Sequence, residues 1–338
     1  MNLTRREFSQ TAAMTALAGI AASPIAFARR RENASAKQFF DWKPVSKGAK
    51  ACFKGGGNAL VAISAHEALL IDCKNPGLGD PLRREATNAV GSSAALTHVV
   101  LTHHHMDHSG GVPSFTHDLP VFAHANATAR CTGQASQASD RASRMAEFLT
   151  NGGDPVPQQV LDEIQAFADR AGEIDVNAYA PTSTFEGERS LNSFMVGALE
   201  INLHHITNGH TDNDVFVHIP ELNLIHTGDL LFHKLHPFID KSAKASTRGW
   251  EKGCAAMIEL CNNRTRVIPG HGEITDVAGI RGQIEYFQKL RDFVGAQREQ
   301  GKSRDEISGM TPGFFKGMGL EQLGPRNLGT VFDELEQE

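Results

Sequence analysis

The sequence predicts an α/β protein: a four-layer αββα sandwich, two packed β-sheets covered by helices, with a helical insertion. Three observations carry this. Strand-length apolar runs come in two blocks, one over residues 51–123 and one over 183–226. Helix-forming text follows each block, and alternating strands and helices around paired sheets bury both apolar faces. Between the blocks, residues 125–178 hold two helical stretches split by the breaker NGGDPVP.

The elements read in order as follows. The chain opens MNLTRREFSQTAAMTALAGIAASPIAFARRR. Arg5 and Arg6 precede Phe8, a mildly apolar run covers Thr11–Ala22, and Ala26-Phe27-Ala28 gives the small-x-small pattern of a signal peptidase site. The apolar run is too short for a permanent membrane anchor, since a spanning helix needs about 20 apolar residues. Residues 1–28 therefore read as a twin-arginine signal peptide, which makes the export machinery a partner and predicts a periplasmic or secreted location. Residues 29–48 read as a linker or arm.

Residues 49–300 read as the main domain. Ala59–Ser64 and Ala68–Asp72 are strands, the second closed by Asp72; residues 79–91 suit a helix; Leu96–Leu101 and Pro120–Ala123 are strands. The helical insert, about 125–178, has its helices near Ser136–Leu149 and Pro157–Ala171. Strands return from Ser183 to Thr207, at Val215–Ile219 and at Leu224–His226, and a long helix is expected over about 278–300. Residues 301–338, rich in Gly and Pro near Met310–Gly324, read as a weakly determined C-terminal extension.

Bulk chemistry narrows the function. The chain has 338 residues, with 40% hydrophobic and 21% charged, which suits a soluble globular protein. A formal charge of −6 argues against a sequence-independent grip on nucleic acid phosphates, so no nucleic acid partner is expected. Two Trp and two Tyr against nineteen Phe argue against a sugar- or base-stacking surface. The five cysteines form no CxxC pair, and buried thiols are the expectation, with a Cys52–Cys73 bridge as the alternative.

The chemistry gathers at LTHHHMDHSGG, Leu101 to Gly111. Directly after a strand, an extended chain turns His103 and His105 to one side and His104 to the other. Asp107 and His108 follow. Imidazole and carboxylate together suit zinc or another first-row metal. Further candidates stand at later strand ends: His210 in NGHTD, Asp229 in HTGD and His271 in PGHG. Strand-end loops present side chains to a shared rim. His66, His98, His117, His204, His205, His218 and His226 lie in or beside strands and are expected to be structural.

HxHxDH at 103–108, GHT at 209–211, TGD at 227–229 and PGHG at 269–272 resemble, in order and spacing, the metallo-β-lactamase superfamily. The resemblance covers about residues 50–290. It implies that His103, His105 and His210 hold one zinc, that Asp107, His108 and His271 hold the second, and that Asp229 bridges them. Two Zn2+ are the implied cofactors, with iron or manganese as alternatives. Asp107 is the implied catalytic group, orienting water or passing a proton to the leaving group. Thr211, Asp212 and Asp214 are expected to orient imidazoles, and His233 and His236, in LLFHKLHPF, to line the pocket.

The implied activity is a zinc-dependent hydrolase that opens an ester, lactone, thioester or lactam bond of a small molecule with metal-bridging hydroxide. Aspartate at position 229 departs from the antibiotic-degrading β-lactamases, which place Cys or Ser there, and is similar to the glyoxalase and lactonase branches. An iron-dependent persulfide or sulfur oxygenase and a phosphodiesterase or nuclease are the competing readings.

Overall fold

The computed structural model describes residues 38–152, 155–187 and 191–337. The twin-arginine segment lies outside the described residues. The chain divides into two compact units: one runs to Glu186 and resumes over Leu191–Asn202, and the other chiefly comprises Leu203–Glu338.

The first unit holds a seven-stranded sheet in sequence order: β1 (Asp41–Ser46), β2 (Ala49–Phe53), β3 (Ala59–Ser64), β4 (Glu67–Ile71), β5 (Ala95–Val100), β6 (Val121–His124) and β7 (Ser183–Phe185). β1 to β4 pair antiparallel, and β4 to β7 pair parallel. Parallel neighbours need crossovers. Helix α1 (Gly79–Val90) supplies the one between β4 and β5. It buries Leu82, Glu85, Ala86 and Val90, one face at helical spacing. The core of this unit includes Val61, Leu70, Leu82, Val99, Leu101 and Phe115.

β1 corrects the expected linker over 29–48. Its text, DWKPVS, is polar and interrupted by Pro44, so it carries no strand signal. An edge strand tolerates proline, and the register shifts between Pro44 and Ser46. Glu85 fastens this edge. Its buried carboxylate accepts from Phe39 N at 2.7 Å, Phe40 N at 3.3 Å and Trp42 Nε1 at 3.1 Å. The insert comprises α3 (Ala127–Gln134), α4 (Ala138–Asn151) and α5 (Gln158–Arg170), preceded by the one-turn helix α2 (Met106–Ser109). α4 buries Ala138 and Ala142, small residues that leave room for a neighbour, and α5 buries Val160 and Ile164.

A second sheet has the order β12-β11-β10-β9-β8, from β8 (Leu191–Val196), β9 (Leu199–Ile206), β10 (Asp214–Ile219), β11 (Leu224–His226) and β12 (Arg266–Ile268). In the second unit α6 (Thr247–Leu260) and α7 (Val277–Glu299) surround a core with Phe216, Ile225, Trp250, Met257, Phe287 and Leu290. α8 (Arg304–Ser308) and α9 (Leu323–Leu335) follow. The tail is thus better determined than its Gly/Pro text suggests. Ser303 and Glu306 form a capping box on α8, and α9 contributes Leu328 and Val331 to the core.

Cys52, Cys73, Cys131 and Cys254 are buried free thiols and Cys261 is a half-buried one, so Cys52 and Cys73 are not bridged. Burial pushes the Cys52 and Cys131 thiols up to about 12, which keeps them protonated and inert. Among the described residues no helix is long and apolar enough to cross a membrane.

Candidate metal centre

Each unit carries its own set of donors. In the first, β5 ends at Val100, the chain bends at Thr102 and His104 where an extended run was expected, and His105 (φ −58°, ψ 140°) caps the start of α2. The rings of His103 and His105 meet edge to face with centroids 4.8 Å apart, and the His104 ring lies 4.5 Å from that of His105. The helical turn then brings His108 back to 4.5 Å from the His103 ring. His108 N donates to His105 O at 2.9 Å, and this turn puts Asp107 and His108 next to the imidazole pair. His103, His104 and His108 are buried, whereas Asp107 keeps 27% side-chain exposure. His104 bonds the turn through its carbonyl, which accepts from Ser109 Oγ at 2.7 Å.

Sequence reasoning missed Asp72. Its fully buried carboxylate accepts from His108 Nδ1 at 2.7 Å, from Thr102 N at 2.8 Å and from Thr102 Oγ1 at 2.8 Å. A carboxylate accepts only, so the His108 proton sits on Nδ1 and the Nε2 lone pair faces outward as a metal donor. The available signal was a polar residue closing an apolar strand. Asp72 also stands at φ 64°, in the left-handed region that Asp tolerates better than most residues.

The glycine run at 55–57 is equally functional. Gly57 N donates to Asp107 O at 3.1 Å, and a Cβ on Gly57 would overlap the His108 ring. Lys74, wholly buried, donates from Nζ to Gly57 O at 2.7 Å and Cys52 O at 2.8 Å, holding this loop down. Burial lowers the Lys74 pKa, and nearby Asp72 and Asp107 favour its charged form.

In the second unit, β9 leads to Asn208 at φ 55° and then His210. Asp229 sits in a 3-10 turn after β11, and His271 follows β12 in Pro269-Gly270-His271-Gly272. Gly270 N donates to Gly228 O at 2.8 Å, which ties the two loops, and a Cβ on Gly270 would overlap Asp229 Oδ1. His210 packs edgewise on Trp250 at 5.1 Å, and His271 stacks on Phe232 at 4.8 Å. Asp229 Oδ2 lies 3.4 Å from His210 Nε2, and its Oδ1 lies 3.4 Å from His271 Nε2. In the first unit His108 Nε2 lies 3.6 Å from Asp107 Oδ2.

These spacings test the fit to metal. Charge-assisted N–H···O bonds run about 2.7–2.9 Å. Two donors held by one tetrahedral zinc at ordinary bond lengths lie about 3.3–3.5 Å apart. The imidazole–carboxylate pairs match the second geometry. Within one unit, His103 and His105, Asp107 and His108, and His210 and Asp229 each bring donor atoms within 4.8 Å, so both sets fit divalent metal.

The expected supporting residues divide. Asp214 accepts from Thr211 N at 2.8 Å and Thr211 Oγ1 at 2.6 Å, so these two brace the turn after His210. Burial raises the Asp214 pKa to about 8, against the lowering effect of the Thr211 bonds. Asp212 accepts from Asn213 Nδ2 at 3.0 Å and pairs with Lys244 at 3.5 Å. His233 Nδ1 meets Glu273 O at 2.9 Å, and its backbone N donates to His271 O at 2.9 Å, so it shapes the His271 loop. His236 is buried against Tyr286 OH (2.9 Å) and the Phe315 ring (4.4 Å).

Strand-end sets of imidazole and carboxylate at ligand spacing define a metal-binding α/β hydrolase class. The family model of the metallo-beta-lactamase superfamily matches residues 53–271, and the chain belongs to that superfamily. It adopts the metallo-β-lactamase fold, two sheets flanked by helices, with an extra helical region. Among solved structures, a metallo-beta-lactamase from Pontibacter korlensis aligns at TM-score 0.52 and 15% identity, over 74% of this chain and 99% of that one. The DIM-1 metallo-beta-lactamase aligns at TM-score 0.50 and 16% identity, over 74% and 97%. The stereoselective inverting sec-alkylsulfatase Pisa1 from Pseudomonas sp. aligns at TM-score 0.62 and 14% identity, over 88% of this chain and 50% of that one. Such identities establish shared fold. No curated protein sequence matches this chain.

Proposed function

We propose that this superfamily hydrolase is an exported, dinuclear zinc enzyme that cleaves an ester, lactone, thioester or lactam bond of a small molecule. His103, His105 and His210 would hold one ion, Asp107, His108 and His271 the other, and Asp229 would belong to both. One observation carries the reading: the two oxygens of Asp229 face two different imidazoles at ligand spacing. The match over 53–271 supports it, since it takes in both donor sets. Two divalent ions supply a water of lowered pKa and a positive charge for the oxygen of the reacting bond.

The chain's own residues do the rest. Asp72 fixes the His108 tautomer, Trp250 packs on the fully buried His210, and Phe232 covers one face of the His271 ring, whose side chain stays 23% exposed. Asp107 keeps part of its carboxylate accessible, which suits a group that takes a proton at Oδ and returns it to the leaving group. Arg5, Arg6 and the cleavage pattern at Ala26–Ala28 support twin-arginine export to the periplasm or beyond.

The test is metal analysis of purified protein, with a chromogenic panel of lactones, thioesters, carboxylate esters, cephalosporins and phosphodiesters. The alkylsulfatase neighbour adds sulfate esters to the panel. Two zinc per chain and turnover abolished by Asp107→Ala are expected. Iron at one per chain with oxygen uptake on a persulfide would replace this reading with the oxygenase one.

A further inference from the structure

The helical insert carries a pocket that neither the metal donors nor the fold requires. It has a volume of about 370 Å3 and is lined by Asn75, Arg141, Arg144, Met145 and Phe148. The last four share one stripe of α4, at spacings of three, four and seven residues. Ala138 and Ala142, on the adjoining stripe, are buried, and Met145 packs partly against the same core. Arg141, Arg144 and Phe148 lie beyond that edge and are exposed.

Its composition is unlike an ordinary solvated face. Phe148 is 69% exposed, the most of the large exposed hydrophobic residues. Met145 lies half-buried beside it. Arg141 and Arg144 are exposed, and among the described residues neither guanidinium joins an ion pair. Phe148 and the partly exposed Met145 leave an apolar surface beside the two guanidiniums. Two free guanidiniums beside an apolar patch match a ligand with an anionic group and an apolar segment.

The pocket's position connects it to the chemistry. Asn75, its inner wall, donates from Nδ2 to Gly55 O at 3.0 Å. A Cβ on Gly56 would meet Asn75 Nδ2 at 2.7 Å and Asp107 O at 2.6 Å at once. The Asn75 amide and the backbone of Asp107 thus flank Gly56, within the same unit.

We propose that this pocket binds the non-reacting end of the substrate: a short apolar chain lying on Met145 and Phe148, ending in a carboxylate or sulfate held by Arg141 and Arg144. The assignment rests on the hydrolase reading above, and it narrows that reading to anionic amphiphiles. An anionic lipid surface is disfavoured as occupant because the chain carries a formal charge of −6, which repels an extended negative plane while a single small anion feels the local arginines.

The experiment has a binding arm and a kinetic arm on the full chain loaded with zinc. Calorimetry measures octanoate, octyl sulfate and 1-octanol on the wild type, on Arg141→Gln/Arg144→Gln and on Phe148→Ser. Wild-type binding of at least one of the two anions, weakened about tenfold or more by the arginine pair and by Phe148→Ser, is expected, since a charge-assisted bond is worth roughly a factor of ten or more. The two anions decide between carboxylate and sulfate. In the kinetic arm, kcat/KM on the mono-p-nitrophenyl ester of adipate, divided by that on p-nitrophenyl hexanoate, falls about tenfold in the arginine pair variant.

Equal anion binding by wild type and the arginine variant overturns the proposal, because the metal ions themselves would then be the anion site. Absence of binding to the wild type overturns it too, as does binding to anionic vesicles that octanoate does not displace. Absence of turnover on every ester removes the hydrolase reading, and the calorimetry still decides the pocket.

Discussion

Asp229 lies between two histidines from different loops, Oδ2 3.4 Å from His210 Nε2 and Oδ1 3.4 Å from His271 Nε2. The carboxylate is 3% exposed, and Gly270 presses against it with no room for a side chain. A buried carboxylate in this position needs positive charge on both sides. Asp229→Asn removes one negative charge and one donor oxygen. Metal content is expected to fall from two equivalents to one, read by plasma emission spectrometry after dialysis. Turnover on the best ester falls by about 10²-fold or more, since the two-metal clamp is lost. Two retained equivalents with full turnover would show that Asp229 bridges nothing.

Asp72 touches the site directly at His108 and, through Thr102 Oγ1, which lies 3.0 Å from His103 Nδ1, indirectly at His103. Its bond to His108 Nδ1 raises the basicity of Nε2, and such outer partners are worth about 10–100-fold in metal affinity. Asp72→Asn keeps the size and accepts the left-handed backbone, so the fold is expected to hold by circular dichroism. Zinc affinity, measured by chelator competition, should drop within that range for one of the two sites. Unchanged affinity at both sites would make the Asp72–His108 bond purely structural.

Much of this was legible in the sequence, for a physical reason. His and Asp are common metal donors, and strands announce themselves by apolar runs, so β3 and β11 and the loops holding the candidate donors His103–His108, His210, Asp229 and His271 could be read directly. The αββα class follows from the same blocks. β1 could not be read, because an edge strand held by Glu85 on a distant helix needs no apolar pattern of its own. Asp72 and Lys74 could not either, since their value lies in contacts made 36 and 17 residues away. The partners of His236, Tyr286 and Phe315, could not be read either, since they come from the far C-terminal text.

Gly57 faces the metal-donating edge of His108, where an added methyl overlaps Cε1 and Nε2. Gly57→Ala must therefore push the imidazole aside, while its backbone needs no positive φ. A displacement of about 1 Å in a catalytic group costs on the order of 10²-fold in rate. The expected signature is a folded protein, by melting curve, with one metal equivalent lost and turnover reduced to that extent. Normal metal content would mean that the glycine loop moves and His108 does not.

His204 carries a pH dependence separate from the metals. It stacks on Phe216 with centroids 4.5 Å apart, and burial, with His218 adding repulsion, lowers its pKa from 6.5 to about 4. The folded chain therefore keeps His204 neutral while the unfolded chain protonates it below about 6.5. The unfolded state binds the extra proton, so the His204 contribution to stability is present above pH 6.5 and is lost as pH falls toward 4. His204→Leu should flatten the denaturation midpoint against pH across that window. A variant curve parallel to the wild type would assign the acid sensitivity elsewhere.

Asn327 connects the C-terminal helix to the loop that follows Asp229. Its Nδ2 donates to Pro237 O at 2.9 Å and to Tyr286 OH at 3.1 Å, and the same hydroxyl meets His236 Nδ1 at 2.9 Å. Asn327 is fully buried, so Asn327→Ala leaves these groups short of a partner at a cost of about 1–3 kcal/mol. For a unit of this size that corresponds to a melting temperature lower by several degrees, about 2–4 °C per kcal/mol. Zinc content should stay at the wild-type value, because no ligand changes. Deleting α9 outright exposes Leu328 and Val331 and is expected to give aggregated chain on size-exclusion chromatography. If Asn327→Ala melts with the wild type, the tail is an appendage and the loop after Asp229 stands without it.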